Sequence, residues 1–224
     1  AHTRAANRVR RPTRADMPFH KDPSFMPAIL RCVFGLLVLA AVGTQLVLHV
    51  RSGYNVVNFF SYFTNLSNLF AAVVLLMGAL ATFTRREAPG DLARAIAVVN
   101  MAVVGVVFAI LLRNVDLGDL RPWVNTVLHY LMPCVVVVDW LLLPPKAKLG
   151  LKPLLLVLVF PVLYVAYVLL RGSLVNWYPY PFLNPLNVGG YGGVAGYVVG
   201  IAVAFVLAAW ALLALGNRLR RALP

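Results

Sequence analysis

Six long apolar stretches decide what this chain can fold into. They run over residues 27–49, 57–83, 94–113, 123–143, 152–170 and 194–217. A helix of about 20 apolar residues crosses the hydrocarbon core of a bilayer, and only helices and closed barrels satisfy every backbone N–H and C=O group in lipid. A barrel strand is about ten residues of alternating polarity, which none of these stretches resembles. The first is too long for the apolar region of a signal peptide and no small-residue cleavage site follows it, so it reads as a retained helix. The expected fold is all-α: a polytopic membrane protein with a bundle of six transmembrane helices over residues 23–224. A basic segment over 1–22 lacks periodicity and reads as a disordered tail.

A formal charge of +13 in a soluble protein would suggest nucleic acid. Here the basic residues sort by loop. Arg4, Arg8, Arg10, Arg11, Arg14, Lys21 and Arg31 flank the first span, Arg85, Arg86 and Arg94 follow the second, Lys146, Lys148 and Lys152 follow the fourth, and Arg218, Arg220 and Arg221 follow the sixth. Only Arg51, Arg113, Arg121 and Arg171 fall on the other side. Lys and Arg collect in cytoplasmic loops, so both termini are expected in the cytoplasm. The expected partner of the tail is the anionic leaflet surface; without interleaved aromatic residues it does not read as a nucleic-acid binder. Cys32 and Cys134 lie within spans, form neither a disulfide framework nor a metal motif, and read as small buried apolar residues. No metal site or cofactor is expected.

Residues 171–193, RGSLVNWYPYPFLNPLNVGGYGG, form the one long loop. Its prolines and glycines exclude a regular helix. Trp177, Tyr178 and Tyr180 suit a membrane–water interface, either as an anchoring belt or as part of a cap over the mouth of the bundle. The sixth span carries Gly192, Gly196, Gly200, Ala204 and Ala208 at intervals of four, a seam of small residues that allows close helix packing.

Polar residues concentrate in two spans. Asn58, Ser61, Tyr62, Thr64, Asn65, Ser67 and Asn68 fall on one side of the second span at about 100° per residue, opposite Phe59, Phe63, Leu66 and Phe70. Polar side chains in a membrane face the bundle interior or a wet cavity; hydrogen bonds between helices absorb two or three of them, and seven imply a polar cavity. In the fourth span Asn125, His129 and Pro133 share a face, and His129 is the only histidine deep in a span. Counted at 1.5 Å per residue, Thr64 and His129 both lie about 10 Å from the outer ends of their helices. A hydroxyl and an imidazole at equal depth can form a nucleophile–base pair, provided the two helices are neighbours. Asn65, Ser67, Asn68 or Asn125 can supply oxyanion donors. Asp139 is about 15 Å along the helix from His129, too far for a triad, and a structural ion pair with Arg31 is the better expectation. Nucleophile-elbow, Walker and dinucleotide glycine motifs are absent.

The strings FFSYFTNLSNL, LHYLMPCVVVVDWLL and LRGSLVNWYPYPFLNP resemble a bacterial family of six-pass membrane proteins. That family is distantly similar to the androgen-induced membrane proteins, intramembrane threonine hydrolases that cleave fatty acid esters of hydroxy fatty acids. The resemblance implies a bacterial cytoplasmic-membrane location, with Thr64 as nucleophile and His129 as its partner. It departs from the pattern at Asn184, where an Asp is expected after YPYPFL.

Together these readings lead to an expected hydrolase of fatty acyl esters in the outer leaflet. Thr64 and His129 are the catalytic pair. Ser61, Asn65, Ser67, Asn68 and Asn125 line the substrate site, and Arg113 and Arg171 are candidates for binding a lipid carboxylate, although each also suits simple interfacial anchoring. One alternative is a non-enzymatic lipid-binding or transport protein using the same cavity; another is haem ligation by His49 and His129, with His49 the shallower.

Overall fold

The computed structural model describes residues 25–222, within which all regular structure is helical. The basic tail expected over 1–22 lies outside the described residues. Helix α1 spans Phe25–Arg51, the short α2 Val56–Phe60, α3 Phe63–Thr84, α4 Asp91–Leu112, α5 Pro122–Leu142, α6 Leu151–Val175 and α7 Tyr191–Ala222. All but α2 are long and apolar enough to cross a membrane, as an integral multi-pass protein requires. Phe25 and Ala222, the ends of the described residues, lie at one face, the terminal face; the opposite one is the distal face.

The second apolar stretch is not one helix from 57 to 83. It breaks at Ser61–Tyr62, where Tyr62 is extended (φ −79°, ψ 124°). A break at membrane depth frees backbone groups that lipid cannot satisfy, and side chains take them up. The Phe63 N–H donates to the Tyr164 hydroxyl (3.1 Å), which in turn donates to the Ser61 carbonyl (2.8 Å). The Asn65 amide donates to the Phe59 carbonyl (2.8 Å). Ser61 donates to the Val57 carbonyl and is bonded to the Tyr167 hydroxyl (2.9 Å). Much of the polar stripe is thus spent on rebuilding a broken helix and tying it to α6.

Helix α4 is the centre of the bundle. Buried residues make up 56% of its apolar window, against 11% for α6 and 17% for α7. The last two therefore stand at the side of the bundle with long faces directed outward. Towards the terminal face, Arg31 of α1 forms a two-pronged ion pair with Asp139 of α5 (2.6 and 2.9 Å), and Arg94 of α4 adds a third contact at 3.3 Å. The sequence anticipated the Arg31 pair. It did not anticipate Arg94, which also reaches Asp91 at 4.0 Å.

Two packing expectations are corrected. The glycines of the small-residue seam are not packed on another helix, since a Cβ on Gly192, Gly196 or Gly200 would meet nothing within 4 Å, whereas Ala208 further along packs against the core. Gly196, Gly200 and Ala204 instead face an open groove of about 390 Å³ beside Val106 and Ile110 of α4. Cys134 is exposed on the outward side of α5, and Cys32 is only partly covered. Helical periodicity gives the spacing of a face without its direction, and direction is set by which neighbours the helix finds.

Candidate functional site

Helices α3 and α5 are neighbours, and they bring the two singled-out residues into contact. Thr64 Oγ1 lies 3.3 Å from His129 Nε2. Both residues are buried, at 6% and 9% exposure. Thr64 is the second residue of α3, immediately after the break, so its position depends on the rebuilt hinge as much as on the helix.

His129 sits in a π-helical turn, Val127–Leu131, inside α5. The cause is visible in the sequence: Pro133 has no N–H to donate to the His129 carbonyl, so the regular ladder cannot continue through this turn. The Met132 N–H bonds back to Val127, five residues earlier. Helix α4 has its own π-turn at Phe108–Leu112, where the Arg113 N–H bonds to the Phe108 carbonyl (2.8 Å). The Phe108 ring stacks on the His129 imidazole with centroids 4.1 Å apart and planes 26° apart. Single π-turns of this kind recur at functional sites. Gly105 completes the fit, because a Cβ there would press on Pro133 at 3.1 Å.

The third member of the site comes from the long loop. Tyr180 places its hydroxyl 3.4 Å from Thr64 Oγ1 and 3.3 Å from the Thr64 backbone nitrogen, whose N–H it accepts. With that lone pair engaged, its single proton is free to point at Thr64 Oγ1, and the Thr64 proton is then free to point at His129 Nε2. The resulting order, Tyr180 O–H to Thr64 O–H to imidazole, requires the His129 proton on Nδ1. Nδ1 faces the Asn125 carbonyl one turn back, without ordinary hydrogen-bond geometry. Burial pushes the Tyr180 hydroxyl above its ordinary value of 10.0, with the bonds to Thr64 opposing part of that rise, so Tyr180 stays a neutral donor at physiological pH. Sequence reading placed Tyr180 in the interfacial loop; the aromatic string around it was the only signal of its role.

The loop is held over the bundle by several contacts. Tyr180 stacks on Phe182 (5.2 Å, 4°). The Tyr178 ring covers Gly172 so closely that a Cβ there would overlap it. Arg171 donates to Asn58 (2.7 Å) and lies 5.3 Å from the Trp177 ring. These contacts seat the loop against the bundle, with Phe182 and Leu183 buried. Asn184 is not at the site: its side chain accepts from the Leu186 N–H (3.1 Å) and caps a short 3₁₀ turn, a task an Asp performs equally.

Thr64 and His129 line a cavity of about 320 Å³ between α3, α4, α5, α6 and α7. Among the described residues its walls are apolar, interrupted only by Thr64, His129, Tyr164 and Tyr180. This differs from the polar cavity expected from the stripe. Ser61 and Asn65 serve the hinge. Asn68 bridges the Thr64 and Leu128 carbonyls (2.9 and 3.1 Å), fixing α3 against α5. Ser67 and Asn125 each keep a buried oxygen without a partner and stand off the cavity lining, as do Arg113, which is exposed, and Arg171. His49, the other candidate haem ligand, is bonded through Nε2 to the Asn55 carbonyl (2.9 Å). Among the described residues no three His, Cys, Asp or Glu side chains gather as a metal site would need. In the comparisons with known proteins, no family model, no curated protein and no solved structure matches this chain.

Proposed function

We propose that the protein is an intramembrane hydrolase of neutral lipid esters, with Thr64 as nucleophile and His129 as general base. The observation that carries this reading is the 3.3 Å contact between Thr64 Oγ1 and His129 Nε2 at the wall of an apolar cavity. A hydroxyl is a weak nucleophile until a base takes its proton, and a buried imidazole with a free Nε2 is placed to do so. Resemblance to the threonine hydrolases points to the same two residues.

In the proposed reaction Thr64 Oγ1 attacks the ester carbonyl carbon while Nε2 takes its proton. The carbonyl oxygen becomes an oxyanion, and the Tyr180 O–H is the nearest donor to receive it, in the manner of an oxyanion hole. As the intermediate collapses, the alcohol leaves with the proton from Nε2. Water then attacks the acyl-threonine and gives one proton to Nε2, which passes it to Thr64 Oγ1 as the acid leaves. Ester and water are consumed, acid and alcohol are formed, and no cofactor enters.

In this reading the terminal face, with its arginines and lysines, lies in the cytoplasm and the site lies in the outer leaflet. The location proposed is a bacterial cytoplasmic membrane, with anionic lipids against the basic N-terminal segment. A second reading is a non-enzymatic lipid-binding protein, favoured by how few polar groups interrupt the lining. Hydrolysis of a medium-chain fluorogenic ester by detergent-purified protein separates the two. Turnover that falls at least about a hundredfold in both Thr64→Ala and His129→Ala supports the hydrolase. Binding without turnover, or variants equal to the wild type, supports the binding protein.

A further inference from the structure

The cavity beside Thr64 is not closed. On its far side the lining residues Pro161 and Val162 of α6 and Ala202 and Val206 of α7 form two facing rims. Val162 is 62% exposed and Val206 46% exposed, and Ala202 is exposed as well, although all three line the cavity. A residue that lines a cavity and is also open to the outside marks an opening. At 1.5 Å per residue both rims lie about 20 Å in from the distal ends of their own helices, and beside them Phe160 and Tyr164 of α6 and Phe205 of α7 pack on Phe63, the neighbour of Thr64, with ring centroids 5.3, 4.9 and 5.7 Å away. The opening therefore lies beside the hydroxyl–imidazole pair and faces sideways between α6 and α7, two helices long and apolar enough to cross a membrane.

The rims are built to stay apart. Pro161 gives the Val157 carbonyl no helical donor, which loosens α6 at the opening. Ala202 contributes almost no side chain on the α7 side. Among the described residues no charged side chain lines the path, so a carboxylate or a phosphate would find no counter-ion among them, and burying such a charge unpaired is strongly disfavoured.

We infer that the gap between α6 and α7 is a lateral portal that admits the acyl chain of a membrane-resident neutral ester, tail along the rims and ester carbonyl at Thr64. This deepens the hydrolase reading and rests on it for the placement of the ester, while the portal itself is testable without turnover.

The test uses full-length protein in phosphatidylcholine liposomes, as wild type and as Ala202→Trp and Val162→Trp, which fill the rim from either side and touch neither Thr64 nor His129. In the variants the ratio of kcat/KM for a myristoyl ester to that for a water-soluble acetyl ester is expected to fall at least about tenfold. Equal loss on both esters, or no loss on either, overturns the portal. In parallel, a myristoyl ester carrying a diazirine at the chain end is photolysed in the same liposomes. Labelling is expected on peptides spanning 158–165 and 198–206, and is expected to fall in Ala202→Trp. Labelling elsewhere overturns the portal even if the ester is hydrolysed. Labelling at the rims with no hydrolysis by the wild type keeps the portal and removes the hydrolase reading.

Discussion

Replacing Tyr180 by Phe removes one oxygen and nothing else from the site. The Phe ring keeps the parallel stack on Phe182 and the edge contact with Tyr62 (5.7 Å), so the loop remains seated. Two hydrogen bonds are lost, one from the Thr64 N–H and one to Thr64 Oγ1. Leaving a buried N–H unpaired costs about 1–3 kcal/mol, which should appear as a modest fall in melting temperature in detergent. The larger effect is on rate. If the Tyr180 hydroxyl receives the oxyanion, its removal costs about 10²–10³ in kcat, as loss of one preorganised donor does elsewhere. KM should change little, because the interaction strengthens only as charge develops. The assay is steady-state hydrolysis of the fluorogenic ester by wild type and Tyr180→Phe at matched expression, with melting followed by intrinsic fluorescence. A variant that melts near the wild type and retains kcat within about threefold would refute the oxyanion role, leaving Tyr180 as a plug for the α3 N-terminus.

Four further outcomes are expected. Because burial holds the Tyr180 hydroxyl above 10.0, it is the protonated donor throughout neutral pH; an alkaline loss of rate due to its ionisation should begin only above about pH 10 and be absent in Tyr180→Phe, which a pH–rate profile to pH 11 would show. Asp139→Asn leaves Arg31 and Arg94 facing each other in a site where their side chains are only 14% and 13% exposed, and should destabilise by about 3 kcal/mol or more in reversible unfolding; Arg31→Ala should cost less, since Arg94 still neutralises Asp139. Asn68→Ala removes the bridge between the Thr64 and Leu128 carbonyls and should cost about 1 kcal/mol, the scale of interhelical polar contacts in membranes, with a measurable drop in turnover. Gly105→Leu drives a side chain into Pro133, and should lower kcat by displacing the His129 turn while the folded yield on size-exclusion chromatography is retained.

The six helices follow from hydropathy because lipid leaves only helices and closed barrels, and stretches this long without alternating polarity do not suit barrel strands. The Arg31–Asp139 pair was legible for a related reason: an acid and a base near the same membrane depth have few other partners, and the structure joins them at 2.6 Å. Thr64 and His129 were legible as candidates, because polar groups in apolar spans stand out and depth can be counted at a fixed rise per residue. Whether they touch could not be counted. It depends on α3 and α5 being neighbours, and on two local distortions, the Ser61–Tyr62 break and the Val127–Leu131 π-turn. The sequence marks the second distortion with Pro133 and gives no comparable mark of the first.

What the tertiary structure alone decided is which polar residues face the cavity and which serve the scaffold. A helical wheel puts seven polar side chains on one side of the second span; packing sends Asn65 and Asn68 to backbone carbonyls and leaves Thr64 at the apolar cavity. It also brought Tyr180 to Thr64 across more than a hundred residues of chain. Periodicity and hydropathy are properties of a segment and survive without the rest of the molecule. Contacts between segments arise only when every helix has found its neighbours, and the hydroxyl–imidazole pair, its tyrosine and the gap between α6 and α7 all depend on contacts of that second kind.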